Sequence, residues 1–160
     1  MKTLFLSASV LAMTFMACGN KPNSSQETSS TADSLAVEST PSLVGKWDIE
    51  NVVVNDSVYA RPSEIDPDVR QSMVFNADST YFISTNCNSI SGPYTQKGLS
   101  LKMGDGAMTE MACHDMQVED LLRRILPEIS AVEFENDSVA RLNTSSSMYV
   151  VLHKASASAE

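Results

Sequence analysis

The chain is poor in positive charge, in histidine and in cysteine, and it has no long apolar run. Eleven Lys and Arg face twenty Asp and Glu in 160 residues. Phosphate backbones bind through neutralisation by Lys and Arg, so nucleic acid is set aside as a partner. Two histidines and three cysteines, with no CxxC or HxxxH spacing, give little support to a metal centre. No GxSxG, HExxH or phosphate-cradling glycine loop occurs, so no catalytic residue and no cofactor is assigned. The chain is read as a non-enzyme. The apolar run near the start covers about a dozen residues, short of the roughly 20 that span a bilayer core.

That first stretch, MKTLFLSASVLAMTFMACGN, has one positive charge at Lys2, an apolar middle and small residues before Cys18. This is the pattern of a secretory signal. Phe15-Met16-Ala17-Cys18 resembles a bacterial lipobox, which implies a signal over residues 1–17, cleavage before Cys18 and acylation of Cys18. Each buried methylene contributes about 0.8 kcal/mol, so several acyl chains hold a protein on a membrane stably. Gly19 follows Cys18, and no Asp or acidic run is there. By resemblance to enterobacterial sorting, this favours the outer membrane and its periplasmic face. The mature chain carries ten Lys and Arg against twenty Asp and Glu, so the acyl chains alone should touch the membrane.

From Gly19 to Ser42, ten of 24 residues are Ser or Thr. Such a segment cannot bury enough apolar surface to order itself. Residues 18–42 are read as the acylated cysteine and a tether, whose coil would span roughly 25–30 Å. Residues 155–160 are read as a frayed tail. The remaining 43–154 suit one domain. Asp-Ser followed by an apolar residue or Thr recurs at Ser34, Ser57, Ser79 and Ser138. The pattern resembles an O-glycosylation acceptor of some bacterial envelope proteins. In the folded part, turn formation accounts for it as well.

Within 43–154 the period is mostly two. Trp47 and Ile49, Met73 to Phe75, Tyr81 to Ile83, Leu99 to Met103, Val132 to Phe134, Val139 to Leu142 and Met148 to Leu152 predict about seven antiparallel strands. One segment differs. Val118, Leu121, Leu122, Ile125 and Leu126 fall at helical spacing and predict a helix over about 116–126, with Asp115 as N-cap, Glu119 in the first turn and Pro127 as its end. The expected class is α+β, a curved antiparallel sheet or half-barrel packed on that one helix.

After Cys18 is acylated, Cys87 and Cys113 remain, with His114 and His153. A nucleophilic cysteine needs a base, but neighbouring residues on a strand point apart, which argues against Cys113 with His114. His153 lies among strand residues. Met103, Met108, Met111 and Met116 surround Cys113 and His114 and would suit Cu(I), although methionine more simply fills core gaps. A disulfide needs only export and an even pair. Joining Cys87 to Cys113 closes a loop of about 26 residues, worth ~3.5 kcal/mol in the chain-entropy model. The staple is the preferred reading. It ties the Asn86–Gly92 loop to the Met108–Asp115 segment.

The ordered motifs Leu43-Val44-Gly45-Lys46-Trp47, then Cys87, Asn88, Gly92 and Tyr94, then Thr109, Met111, Cys113 and Glu119 resemble the META domain family, which includes a bacterial heat-shock lipoprotein. Asn86 stands where that family has Gly, and Glu110 where it has Arg. The resemblance implies antiparallel strands packed on a helix and a link to envelope stress. It implies little about mechanism. Three functions are therefore open. The first is a non-catalytic, lipid-anchored envelope binding module with a protein partner. The second is a peptidase inhibitor that presents the stapled loop. The third is a carrier of an apolar ligand or lipid inside the half-barrel. The candidate binding residues are Asn86, Asn88, Ser89, Ile90, Gly92, Met108, Glu110 and His114, with the polar segment 59–68 as an alternative.

Overall fold

Alternating apolar residues make strands that need a covered face, and here the sheet covers its own by closing. The computed structural model describes residues 41–156. The proposed signal, Cys18, Ser34 and nearly all of the tether lie outside these residues. The elements run β1 (Gly45–Asn55), β2 (Val58–Ala60), α1 (Pro62–Ile65), β3 (Ser72–Phe75), β4 (Thr80–Ser84), β5 (Ser89–Lys97), β6 (Ser100–Met103) and β7 (Ala107–Met108). They continue with α2 (Gln117–Ile125), a 3-10 turn (Leu126–Glu128), β8 (Ile129–Asn136), β9 (Val139–Thr144) and β10 (Tyr149–Lys154). Among the described residues no helix is long and apolar enough to cross a membrane.

The half-barrel expectation is corrected. β10 pairs with β1 from Trp47↔Lys154 to Val53↔Tyr149. The order β1-β3-β4-β5-β6-β8-β9-β10 then returns to β1 as a closed eight-stranded antiparallel barrel. Closure removes the exposed sheet edge that a half-barrel would leave. The two short strands lie off this ring. β2 folds back on the end of β1, and β7 pairs with the start of β5. α1 falls within the 59–68 segment and packs on β1.

α2 is therefore a plug rather than a supporting layer. It follows the end of β6 and precedes the start of β8, so it lies at the rim that also holds the β4–β5 turn. Its stripe of Val118, Leu121, Leu122 and Ile125 is buried in the barrel core. Its bounds match the expected helix to within a residue. Its N-cap is Met116 rather than Asp115, although Asp115 Oδ1 accepts the Gln117 N–H at 2.9 Å.

Side chains fill the barrel. Met73, Ile83, Leu101, Leu122, Leu142 and Leu152 are fully buried. The far rim is closed by Trp47, whose indole N–H donates to the Leu43 carbonyl at 2.7 Å, and by the edge-to-face pair Phe75–Tyr94 at 5.1 Å. Buried side chains thus occupy the interior in which the carrier reading placed its ligand. Leu99, expected to face inward, is exposed at the β5–β6 turn. There Gly98 takes φ +59°, which suits glycine. Ser57, Ser79 and Ser138 sit at hairpin turns. Asn55 Oδ1 accepts from the Ser57 N–H, Asp78 Oδ1 from the Thr80 N–H and Asn136 Oδ1 from the Ser138 N–H.

Candidate functional site

Cys87, Asn88, Thr109, Met111, Cys113 and Glu119 converge at the rim plugged by α2, while Leu43, Trp47 and Tyr94 lie at the far rim. The turn from Thr85 to Asn88 joins β4 to β5. The connector from Gly104 to Met116 lies across it. Cys87 and Cys113 form a disulfide, with Cα atoms 6.1 Å apart. Both sulfurs are thereby committed, so neither is a thiolate nucleophile or metal ligand. His153 Nε2 lies 2.6 Å from Glu50 Oε2 on the barrel wall, and His114 is exposed on the connector.

Asn88 organises the rim. It is only 2% exposed, and each of its amide positions is used. Its Oδ1 accepts from Thr109 Oγ1 at 2.8 Å and from the Met111 N–H at 2.8 Å. Its Nδ2 donates to the Met111 carbonyl at 2.9 Å and to Glu119 Oε2 at 2.9 Å. One side chain therefore holds both backbone groups of Met111. Thr109 Oγ1 accepts the Ser89 N–H at 3.0 Å, and the Thr109 N–H donates to the Ser89 carbonyl at 3.1 Å. Asn86 Nδ2 donates to the Asp115 carbonyl at 3.0 Å. The connector is stitched to the barrel along its length.

Glu119 anchors this network from below. Its side chain is fully buried. Oε1 accepts from Thr85 Oγ1 and from the Asn88 N–H at 2.7 Å. Burial by itself would push the carboxyl pKa up. The hydrogen bonds from Thr85 and Asn88 outweigh it, the Arg123 charge adds to them, and the net shift is downward. Glu119 is thus an ionised acceptor whose two oxygens both face protein donors, two on Oε1 and one on Oε2. That is the environment of a structural carboxylate, not of a general acid or base.

The candidate loop residues separate by direction. Asn88 and Ile90 face inward. Gly92 presses on Tyr81, where a Cβ would lie 2.9 Å from the hydroxyl. Ser89 and Asn86 are half-buried, and Met108 is partly covered, while Glu110 and His114 are exposed. Met111, held by its backbone, leaves its side chain 57% exposed. The methionines do not gather. Met103 is buried, and Met111 lies out on the connector. Among the described residues no three His, Cys, Asp or Glu side chains form a metal-sized group.

Two roles escaped the sequence reading. Glu119, expected in the first helical turn and matched to the third family motif, sits one residue from Val118, at the flank of the apolar stripe, and these positions are the signal for its burial. Thr85 carried no signal beyond its place before the Cys87 turn.

The family model described as META domain matches residues 41–157. A solution structure of a protein from Burkholderia xenovorans superposes with a TM-score of 0.58 at 16% identity, covering 70% of this chain and 82% of that one. This supports the fold alone. A crystal structure of a DUF4847 family protein from Bacteroides vulgatus gives a TM-score of 0.49 at 12% identity, covering 69% of this chain and 92% of that one. No curated protein matches the chain.

Proposed function

This chain belongs to the META domain family, and from that premise we propose that its folded part is a non-catalytic binding module held in the cell envelope by acyl chains on Cys18. The observation that carries the reading is Met111. Its N–H and carbonyl are both fixed by Asn88, its segment is tied by the disulfide, and its side chain stands in solvent. A loop ordered before it meets a partner avoids the entropy cost of ordering on binding. Methionine is adaptable and enriched in protein interfaces. The partner is a protein, and a peptidase inhibited by this loop is one form such a partner takes. The motif residues serve the scaffold: Asn88, Thr109, Cys87, Cys113 and Glu119 hold the loop, and both Glu119 oxygens are engaged in holding it.

The test is site-specific photocrosslinking in cells with the full chain. A crosslinker at position 111 should capture a discrete partner, and one at the equally exposed Leu99 on the other rim should not. The capture should be lost in the Cys87→Ser/Cys113→Ser chain. Equal capture from both positions, or from neither, would remove the loop as the binding surface. Cys18→Ser should move the chain from the membrane fraction to the soluble fraction. Unchanged fractionation would remove the anchor.

A further inference from the structure

β6 and β8 are neighbours in the barrel, yet they share a single registered pair, Ser100 with Ala131. Beyond it the 3-10 turn Leu126–Glu128 packs against β6. A lateral cleft of about 380 Å³ opens beside this junction. It falls within the size range of small-molecule sites. Ile90, Met103, Met108 and Leu126 give it an apolar lining. Gly104 to Gly106 and Met108 of the connector form one of its walls, while Met111 lies outside the lining, so its ligand does not depend on the Met111 reading.

Two polar groups in this cleft lack full partners. The Arg123 Nε donates weakly to Met108 Sδ at 3.4 Å. Its two terminal nitrogens make no hydrogen bond among the described residues, and none of the ion pairs there includes it. Arg123 is exposed at the cleft mouth; its charge acts on Glu119 through space, but no carboxylate lies within ion-pair distance of it among the described residues. Tyr81 is 2% exposed, and its hydroxyl reaches only the Gly104 carbonyl, at 3.4 Å. Buried hydroxyls ordinarily hold a partner at 2.7–2.8 Å. Asp105 also lines the cleft, on the Gly104–Gly106 loop.

We infer that this cleft binds a small amphiphile with an unbranched alkyl chain and a single carboxylate head. The chain lies on Ile90, Met103, Met108 and Leu126. Arg123 receives the head, because a planar guanidinium matches a carboxylate through two parallel hydrogen bonds. The Tyr81 hydroxyl is a second donor within the cleft. Asp105 sets the charge limit: it repels a dianion such as a phosphate monoester more than a monoanion. The two methionines adjust to chain length, as flexible thioethers do.

The test uses the full chain carrying Cys18→Ser, so that no acyl chain attached to the protein competes. Methionine methyl groups are labelled and followed by NMR during titration with octanoate, and separately with octylammonium. Octanoate should shift Met103 and Met108 saturably and leave Met73 in the barrel interior and Met111 on the connector unmoved. Arg123→Gln should weaken octanoate by about tenfold or more, the loss expected for a charge-assisted hydrogen bond. Arg124→Gln, equally exposed but outside the cleft lining, should leave it unchanged. Asp105→Asn should tighten it. Equal binding of octylammonium, unchanged affinity in Arg123→Gln, or shifts at Met73 would each overturn the assignment.

Discussion

Replacing Glu119 by Gln changes almost no volume and removes one charge, so it isolates the electrostatic part of the rim. Glu119 accepts from Thr85 Oγ1, the Asn88 N–H and Asn88 Nδ2. Glutamine keeps one carbonyl oxygen, which can still take two of these donors. Its NH2 then meets the Asn88 NH2, donor against donor. One charge-assisted bond is lost, and two fall to neutral strength. With charge-assisted bonds contributing about 1.5–3 kcal/mol and neutral ones about 1, the loss is ~2.5–7 kcal/mol. That is a large share of the 5–15 kcal/mol typical of a domain. The pH dependence gives a second, independent check. The folded pKa of Glu119 lies below its ordinary value of 4.5. A depressed carboxylate contributes stability that is present above its unfolded pKa and is lost as pH falls through the folded pKa. Wild type and Glu119→Gln should therefore differ fully at pH 7 and converge as the pH drops below about 4.5. Urea unfolding followed by circular dichroism, with the disulfide intact, reads both quantities. A difference under about 0.5 kcal/mol at pH 7, or one that stays constant into acid, would refute the account of Glu119 as the ionised anchor of the rim.

Two further outcomes follow from the same geometry. A Cβ at position 106 would lie 2.5 Å from the Tyr81 hydroxyl and 2.8 Å from the Ser91 carbonyl. Gly106→Ala should cost about 1–3 kcal/mol in the same unfolding assay, and adding Tyr81→Phe should recover only part of it, because the Ser91 backbone remains in the way. Wild-type stability in Gly106→Ala would show that this loop yields freely. Removing the staple with Cys87→Ser/Cys113→Ser should lower stability by about 3.5 kcal/mol in the chain-entropy model. It should also speed amide hydrogen exchange in residues 109–116 more than in the barrel strands. Uniform acceleration across the whole domain would mean that the disulfide holds the barrel and not the connector.

Local patterns carried most of the secondary structure. The hairpin Met73–Ile83 and the helical stripe from Val118 to Leu126 each declare themselves within a dozen residues, as does each strand of the meander after Val132. Closure did not, because it rests on pairing across the chain. Glu50 and His153 are 103 positions apart and meet on adjacent strands. Each strand looks the same from sequence whether its outer edge is free or paired. β2, α1 and β7 run to four residues or fewer, too short to show a period. The disulfide was legible because the expectation of export, with Cys18 set aside for acylation, leaves Cys87 and Cys113 as a pair. The Asn88–Glu119 network was not, since an acid in the first turn of a helix already has a sufficient local explanation. The cleft depends on where β6 and β8 part, which no alternation of residues encodes.

The rim separates what holds the loop from what the loop displays. Asn88 binds Met111 through backbone atoms, and any residue but proline supplies those. Thr109, Cys113 and Asn88 act through their own side chains. Positions 110, 111, 112 and 114 can therefore change without loosening the scaffold. Glu110 is such a position, and it is where the family resemblance expects Arg. It is exposed and makes no hydrogen bond or ion pair among the described residues. Glu110→Arg should leave unfolding within about 0.5 kcal/mol of wild type, the usual range for an unpaired surface side chain. The same change reverses the charge beside Met111 and should alter which protein is captured from position 111, or how salt-dependent that capture is. Substantial destabilisation would mean that Glu110 belongs to the clamp. Unchanged stability with unchanged capture and salt dependence would place the contact surface elsewhere on the barrel.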